Sequence, residues 1–201
     1  KKYMFPLFES ICVIHGKILN QKWHQIRYQK AYKKYFGKVS QFNLLDQVYI
    51  PKEFKNGKVK LKVLYGEKER EIHFEEYRFK KINTIRLVHT INLEYSLKFR
   101  QRGKLNELFA EKGSCDDVII VRNGLITDSS YANLIFFDGR DWITPKVPLL
   151  EGTCRARLLA SGKIKTGNIG IKELSAFKGF KLINAMRSMN QKLIPIEGIV
   201  I

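Results

Sequence analysis

The segment from Gly124 to Leu159 constrains the fold most, because it alternates strand-like runs with turns and then ends in a helix-like run. Asn123-Gly124 and Asp138-Gly139 are typical of tight β-hairpins, and apolar runs flank both pairs. After a loop, a Gly-Thr pair precedes an apolar-periodic run that predicts a helix over Thr153–Ser161. This order of strands, hairpins and one helix predicts a mixed α/β (α+β) fold.

Two polar turns in this segment have the composition of a binding site. The first is Asp128-Ser129-Ser130, which lies between two strand-like runs, and the second is Glu151-Gly152-Thr153 at the predicted helix start. Helix N-termini attract anions, because their first N–H groups lack intrahelical partners and the dipole favours negative charge. A carboxylate near an anion site indicates a ligand with both a phosphate and a protonatable nitrogen.

The first half of the chain predicts a small antiparallel sheet with one substantial helix. Strands are expected at Phe8–Ile14 and Lys58–Tyr65, and a helix at Gln21–Phe36 between an Asn20 cap and a Gly37 stop. Near residues 93–96 the predicted pattern changes from a small antiparallel sheet to a short helix followed by apolar strands. This change predicts two domains, 1–95 and 96–201. Further strands or short elements are predicted at 44–50, 71–79, 82–93, 130–137, 169–171 and 193–201, and a short helix at 104–112.

Composition narrows the functional classes. Three widely spaced cysteines argue against a disulfide scaffold and indicate a reducing, cytoplasmic setting, and the four histidines have no metal-site spacing. No apolar run is long enough to span a membrane. The net charge of +18 suits small anionic substrates or polyanions, so a non-catalytic polyanion-binding protein is a second functional class. No nucleic-acid-binding motif is present, which makes nucleic acid an unlikely partner.

Several motifs along the chain occur in an order that resembles the class IV aminotransferases, the fold-type IV pyridoxal phosphate enzymes. The resemblance runs from about Phe8 to Ile199. It implies two domains with the cofactor between them, and a homodimer. The motifs are Phe8-Glu9-Ser10-Ile11, His24 with Arg27, Lys98, Asp128, Gly152-Thr153-Cys154-Arg155, and the closing segments Leu182–Met186 and Ile194-Pro195.

The resemblance assigns roles to these residues. Lys98 would be the Schiff-base lysine that also moves protons at the substrate carbon. Asp128 would pair with the pyridine nitrogen of pyridoxal 5'-phosphate. Arg27 and the turn at Gly152, Thr153 and Cys154 would hold the phosphate. Ser129 and Ser130 are further candidates for contacts with the cofactor, and Asn184, Arg187 and Ser188 for contacts with the substrate.

The chain departs from the family pattern at two of these positions. The family usually has Glu where Asp128 lies, and Asp is one methylene shorter. Cys154 lies where the family often has a phosphate-binding Thr, so Thr153 or backbone N–H groups would substitute. These departures leave open an enzyme with degenerate activity.

Structural roles without function are also open for each candidate. Lys98 could be a surface lysine, with Lys104 as the competing catalytic lysine, and Arg27 could face solvent. Asp128, Ser129 and Ser130 could form a turn, and Thr153 could be only a helix cap. Cys154 and His24 could be packed core residues.

The implied activity is amino-group chemistry on a small anionic amino acid and keto acid pair, with transamination placed first. The alternative is 4-amino-4-deoxychorismate lyase activity, which releases pyruvate and gives 4-aminobenzoate. The segment Asn184-Ala185-Met186 leans towards the lyase. Both reactions need the same lysine and the same electron sink, so these motifs do not separate them, and substrate identity and stereochemistry stay open.

Overall fold

The computed structural model describes residues 4–201, which form two compact units. The first unit comprises the described residues up to Phe79 together with Leu97–Gln101, and the second comprises Lys80–Ser96 and Arg102–Ile201. The chain therefore returns to the first unit for a short segment that contains Lys98. The domain limits 1–95 and 96–201 stay a prediction, and the two units are described separately below.

The first unit is an antiparallel sheet with a helix packed against one face. Its strand order is β2-β1-β3-β4, and the helix α1 follows β2. Alternate residues of β3 (Val59, Leu61 and Val63) face the core with Tyr28 and Tyr32 of α1. The bounds are β1 Leu7–Ile14, β2 Lys17–Ile18, α1 Gln21–Phe36, β3 Lys58–Tyr65 and β4 Arg70–Glu76, with a 3-10 turn at Lys52–Phe54.

The ends of α1 follow the sequence signals only in part. Gly37 adopts a left-handed conformation (φ 74°) and its N–H donates to Lys33 O at 3.0 Å, so the predicted glycine stop is confirmed. Asn20 precedes the helix but makes no side-chain cap, because it is itself left-handed (φ 54°). The predicted Asn20 cap is therefore wrong.

The second unit is built on a larger mixed sheet. Its strand order is β10-β9-β8-β7-β6-β5-β13, and β11 pairs with β8 and with β12. The β5–β6 and β5–β13 pairs are parallel, whereas β6, β7, β8 and β9 form antiparallel pairs. The bounds are β5 Ile85–Thr90, α2 Gly103–Ala110, β6 Asp117–Arg122, β7 Leu125–Ser129, β8 Asn133–Phe137, β9 Trp142–Pro145, α3 Thr153–Ala160, β10 Lys165–Gly167, β11 Gly179–Ile183, β12 Ile194–Pro195 and β13 Ile199–Val200, with 3-10 turns at Lys172–Ala176 and Ile196–Gly198.

Several predicted elements differ in the structure. The strand expected at 82–93 is shorter and belongs to the second sheet, where it pairs with β6. The element expected at 44–50 is a series of turns, and 169–171 holds only a single bridge between Gly170 and Leu125. The strand expected at 130–137 begins at Asn133 because Ser129 closes a turn there. The mixed α/β architecture is confirmed. No helix in residues 4–201 combines the length and apolarity needed to cross a membrane.

Candidate functional site

A buried ion cluster in the first unit joins β1 to α1. Glu9 is fully buried and its carboxylate accepts hydrogen bonds from Arg27 Nε at 2.7 Å and Arg27 Nη2 at 2.5 Å. His24 Nδ1 lies 2.7 Å from the same carboxylate. The i, i+3 spacing of His24 and Arg27 places both on one face of the helix, opposite the strand that carries Glu9.

The cluster holds Glu9 as an anion. Burial by itself would raise the pKa of this carboxyl, but the Arg27 guanidinium and the His24 contact outweigh that effect and lower the pKa to about 2. The structure therefore gives Arg27 a protein carboxylate as a partner, in a two-point pairing typical of arginine and carboxylate. Its predicted role with a phosphate stays a prediction.

Lys98 lies against the other face of β1. Adjacent residues of a strand point to opposite faces, so Phe8 faces away from the Glu9 cluster. The segment around Lys98 is held beside β1 by two hydrogen bonds, from Phe8 N to Lys98 O at 3.1 Å and from Arg100 N to Pro6 O at 2.8 Å. This pairing places Lys98 Nζ 4.6 Å from the centroid of the Phe8 ring. The lysine is thus partly buried on an aromatic surface.

The competing lysine has a different setting. Lys104 is exposed in the first turn of α2, in the second unit. It lines an open groove of about 680 Å³ together with Glu107 and Glu111 of the same helix. An exposed lysine beside carboxylates has the surroundings of a solvated surface residue.

Asp128 is the buried carboxylate of the second unit. It is 5% exposed, and its Oδ1 accepts a hydrogen bond from Asn133 Nδ2 at 2.8 Å, across the β7–β8 pair. Its Oδ2 accepts one from Leu150 N at 2.9 Å. Asn133 Nδ2 also donates to Leu150 O at 2.8 Å, so the carboxylate is tied to the loop that leads into α3.

The electrostatics of Asp128 differ from those of an ordinary carboxylate. Burial raises its pKa to about 6, although the Leu150 N–H, the Asn133 amide and the Arg155 charge all favour the anion. Arg155 is itself buried, and it donates to Thr144 Oγ1 at 3.2 Å and to Pro145 O at 2.9 Å rather than to Asp128. A cationic hydrogen-bond donor beside this buried carboxyl would stabilise its anionic form.

The two serines after Asp128 form a turn. Ser129 N donates to Ala132 O at 2.9 Å, and Ser129 Oγ accepts from Ala132 N at 3.1 Å, which is a turn-forming role. Ser130 is buried and its carbonyl accepts a hydrogen bond from Arg102 Nη2. Asp117 lies close to both hydroxyls; burial raises its pKa, and neither of its oxygens has a hydrogen bond of standard geometry within residues 4–201.

The start of α3 lies beside this carboxylate. Gly152 immediately precedes the helix with extended backbone, and Ala156 N donates to its carbonyl at 2.9 Å. A Cβ at Gly152 would lie 1.9 Å from Asn133 Oδ1, so any larger residue would force the Asn133 side chain to move. Thr153 is buried in the first turn. Cys154 is also buried, packs against Leu158, and burial raises the pKa of its thiol.

The predicted substrate residues lie on a turn that contacts both other parts of the candidate site. Cys154 Sγ at the start of α3 donates to Arg187 O at 3.8 Å, and Asn184 Nδ2 donates to Tyr131 O at 3.3 Å, in the turn after Asp128. Asn184 and Arg187 exchange backbone hydrogen bonds at 3.1 Å, and Asn184 Oδ1 accepts from Met186 N at 2.8 Å. Arg187 is buried; its guanidinium donates to Gln191 and to the Lys80 carbonyl. Ser188 is exposed. No group of three or more metal-binding side chains occurs in the described part of the chain.

The sequence motifs include Glu9 without a role and Arg155 only as part of a turn, and they gave no role to Asn133. Glu9 could have been found as the one acidic residue in an otherwise apolar strand, since a buried carboxylate requires a cation. Asn133 and Arg155 gave no such signal, because their partners depend on how the β7–β8 turn meets the loop before α3.

Comparison with known proteins gives concordant results. The family model for "Amino-transferase class IV" matches residues 6–191. An uncharacterized protein of Haemophilus influenzae is 40% identical over 188 residues, which cover 92% of this chain and all of that protein. A protein from Haemophilus somnus, provisionally identified as a 4-amino-4-deoxychorismate lyase, is 34% identical with a TM-score of 0.87, covering 94% of this chain and all of the other.

A more distant structure has the same fold. It is a protein from Mesorhizobium loti, provisionally identified as an amino-acid aminotransferase, with 19% identity and a TM-score of 0.76, covering 95% of this chain and 98% of that one. The fold and the family match thus define an α/β enzyme of the fold-type IV class. The chain belongs to the class IV aminotransferase family, whose members are pyridoxal-phosphate-dependent aminotransferases and lyases.

Proposed function

We propose that this protein is a pyridoxal-phosphate-dependent enzyme of amino-group chemistry, with Lys98 as its catalytic lysine. The observation that carries the proposal is the Asp128 carboxyl. It is buried and bonded to Asn133 and Leu150, and it has a pKa near 6 in a chain of this family. A protonated ring nitrogen is the partner that such a carboxyl would stabilise most.

The residues fit the cofactor in four respects. Asp128 supplies a carboxylate without a directly bonded cation, so a pyridinium would find an acceptor there. The start of α3 at Gly152 and Thr153 supplies N–H donors and a positive dipole end for a phosphate. Lys98 supplies a primary amine on an aromatic surface. Arg27 supplies a fixed positive charge on the face of β1 that holds Glu9, to which it is bonded.

When bound, pyridoxal phosphate supplies an aldehyde for covalent attachment and a ring that withdraws electrons from the substrate carbon. Lys98 Nζ would hold the cofactor through its aldehyde, and the lysine amine would accept and return the proton at the substrate carbon. Asp128 would stabilise a protonated ring nitrogen. The Asn133 and Leu150 donors orient the Asp128 carboxylate for that contact.

Two reactions fit these roles. Transamination between an anionic amino acid and a keto acid is placed first, because it is the reaction of the broader family. Release of pyruvate from 4-amino-4-deoxychorismate is the second candidate, and the relative from Haemophilus somnus favours it. Cys154 and Thr153 would serve the phosphate turn in either case.

The covalent link is tested by absorbance. We expect wild-type protein mixed with pyridoxal phosphate, then freed of excess, to show a visible band that Lys98→Ala abolishes. Lys104→Ala is the matched control and should keep the band. Absence of the band in the wild type would overturn the proposal and favour the hypothesis of a non-catalytic protein with salt-sensitive anion binding. A band lost only in Lys104→Ala would identify Lys104 as the catalytic lysine.

The two reactions are separated by their products. The loaded enzyme is incubated with a panel of amino acids of both configurations plus 2-oxoglutarate, and in parallel with 4-amino-4-deoxychorismate. Pyruvate and 4-aminobenzoate in equal amounts from the second reaction alone would identify a lyase. A new amino acid from the first reaction alone would identify an aminotransferase.

We also propose a homodimer in a reducing, cytoplasmic setting. The support for the first is the family, and for the second the three free and buried cysteines Cys12, Cys115 and Cys154. Light scattering at working concentration checks the first, and a monomeric mass would contradict it.

A further inference from the structure

The Phe8 ring of the first unit carries two ammonium groups. Lys98 Nζ lies 4.6 Å from its centroid and Lys62 Nζ lies 5.2 Å from the same point. The two groups are therefore no more than about 10 Å apart. The register explains this, because Lys62 pairs with Ser10, which points to the same face of the sheet as Phe8.

The carboxylates on this face are paired with residues other than Lys62. Glu75 forms an ion pair with Lys60, and Glu71 lies 2.7 Å from His73, the residue opposite Lys62 on β4. No carboxylate within residues 4–201 pairs with Lys62, and its side chain is half-buried on the sheet. A cation held partly out of water without a counter-charge would be stabilised by an incoming anion.

We infer that Lys62 is a specificity-determining residue that binds a carboxylate of the substrate reacting at Lys98. The inference rests on the proposed function, since Lys98 sets where the substrate reacts. An ammonium that has no protein carboxylate as partner distinguishes a carboxylate from its neutral amide, because only the carboxylate offers an opposite charge. The substrate class is therefore an amino or keto acid that offers a carboxylate to the Phe8 face.

The test uses the cofactor-loaded protein and two unreactive probes, glutarate and its neutral diamide glutaramide. Isothermal titration calorimetry measures the dissociation constant of each. We expect wild type to bind glutarate at least about tenfold more tightly than glutaramide, and Lys62→Met to lose most of that preference. Lys60→Met removes the same charge two residues away on the same face, and it should keep the preference, as should Lys62→Arg.

Absorbance keeps this inference separate from the proposed function. The visible band should form equally in wild type, Lys62→Met and Lys60→Met. If the band forms and Lys62→Met prefers glutarate as strongly as wild type does, the inference is wrong while the proposed function stands. Equal loss of preference in Lys60→Met would assign the effect to general surface charge and also overturn it. Absence of the band in wild type would overturn the proposed function, and this inference with it.

Discussion

Each unit buries one carboxylate near an arginine, yet the two carboxyl groups have opposite electrostatics. Glu9 receives two direct hydrogen bonds from Arg27, and its pKa falls to about 2. Asp128 has Arg155 only as a more distant charge, since that guanidinium donates to Thr144 and Pro145, and its pKa rises to about 6. Burial is common to both groups, so the geometry of the cation decides the outcome.

This difference in electrostatics indicates different roles for the Glu9 and Asp128 carboxyl groups. Glu9 is a completed ion pair, and it fixes α1 on the sheet. Asp128 is held by neutral donors and is incompletely compensated, which suits a group that awaits a cationic partner.

The largest effect is expected at Asp128. Asp128→Asn keeps the hydrogen-bond positions but removes the negative charge, so we expect turnover to fall by about 10²-fold or more. The visible band with Lys98 should persist, because the covalent link does not need this carboxylate. Single-turnover kinetics on the loaded enzyme measures the loss. Asp128→Glu, which restores the charge, should recover most of it, and unchanged turnover in Asp128→Asn would end the ring-nitrogen role.

The Glu9 cluster should dominate stability instead. Glu9→Gln leaves the Arg27 cation and His24 without their anion in the core, and we expect a loss of about 3–5 kcal/mol in the free energy of unfolding. Urea denaturation followed by circular dichroism measures it. Glu71→Gln, in a half-exposed pair with His73, is the control and should cost less than about 1 kcal/mol. Similar losses in the two variants would contradict the distinction.

The pH dependence of stability should have two opposite slopes. Glu9 has a lowered folded pKa, so its contribution is complete above its unfolded value of 4.5 and is lost as pH falls towards 2, by about 3 kcal/mol. Asp128 has a raised folded pKa, so stability falls as pH rises from its unfolded value of 3.8 to about 6, again by about 3 kcal/mol.

Urea midpoints between pH 2 and pH 7 check both slopes on protein without cofactor. Glu9→Gln should flatten the acid side alone, and Asp128→Asn should flatten the pH 4–6 side alone. A variant that flattens both sides, or neither, would show that other groups control the profile.

The smallest effect is expected at Gly152. Gly152→Ala places a methyl group against Asn133, which must move and weaken its hold on Asp128, at a cost of about 1–3 kcal/mol. Gly103→Ala is the matched control, since nothing lies within 4 Å of that Cβ position and the residue begins a helix. Thermal unfolding measures the melting temperature of both variants. Equal melting temperatures would contradict the close approach of Gly152 to the Asn133 side chain.

Local signals accounted for much of the fold. The alternation of Lys58–Tyr65 and the glycine stop at Gly37 predicted their elements correctly, because both depend on neighbours in sequence. The placement of residues 85–90 in the second sheet was not predictable in this way. Their partners are β6 and β13, and the second of these lies more than 100 residues further along the chain.

The candidate site shows the same division. The order of the motifs indicated the family and suggested roles for Lys98, Arg27 and Asp128. It could not show that Arg27 is bonded to Glu9, or that Asn133 bridges Asp128 to Leu150. These contacts join segments that are distant in sequence. The periodicity and residue spacing within one segment do not indicate which distant segment it contacts.

The return of Leu97–Gln101 to the first unit has a consequence for protein synthesis. The Phe8 N–H donates to the carbonyl of Lys98, which is synthesised about 90 residues later. Residues 80–96 are synthesised before that lysine and belong to the second unit. A nascent chain that ends before Leu97 can form the first sheet but not this edge pairing, so the lysine-bearing segment joins β1 late. Ribosome-stalled chains of increasing length, probed by limited proteolysis, should gain added protection at residues 6–8, where this segment bonds to the chain, only once residues 97–101 have left the exit tunnel.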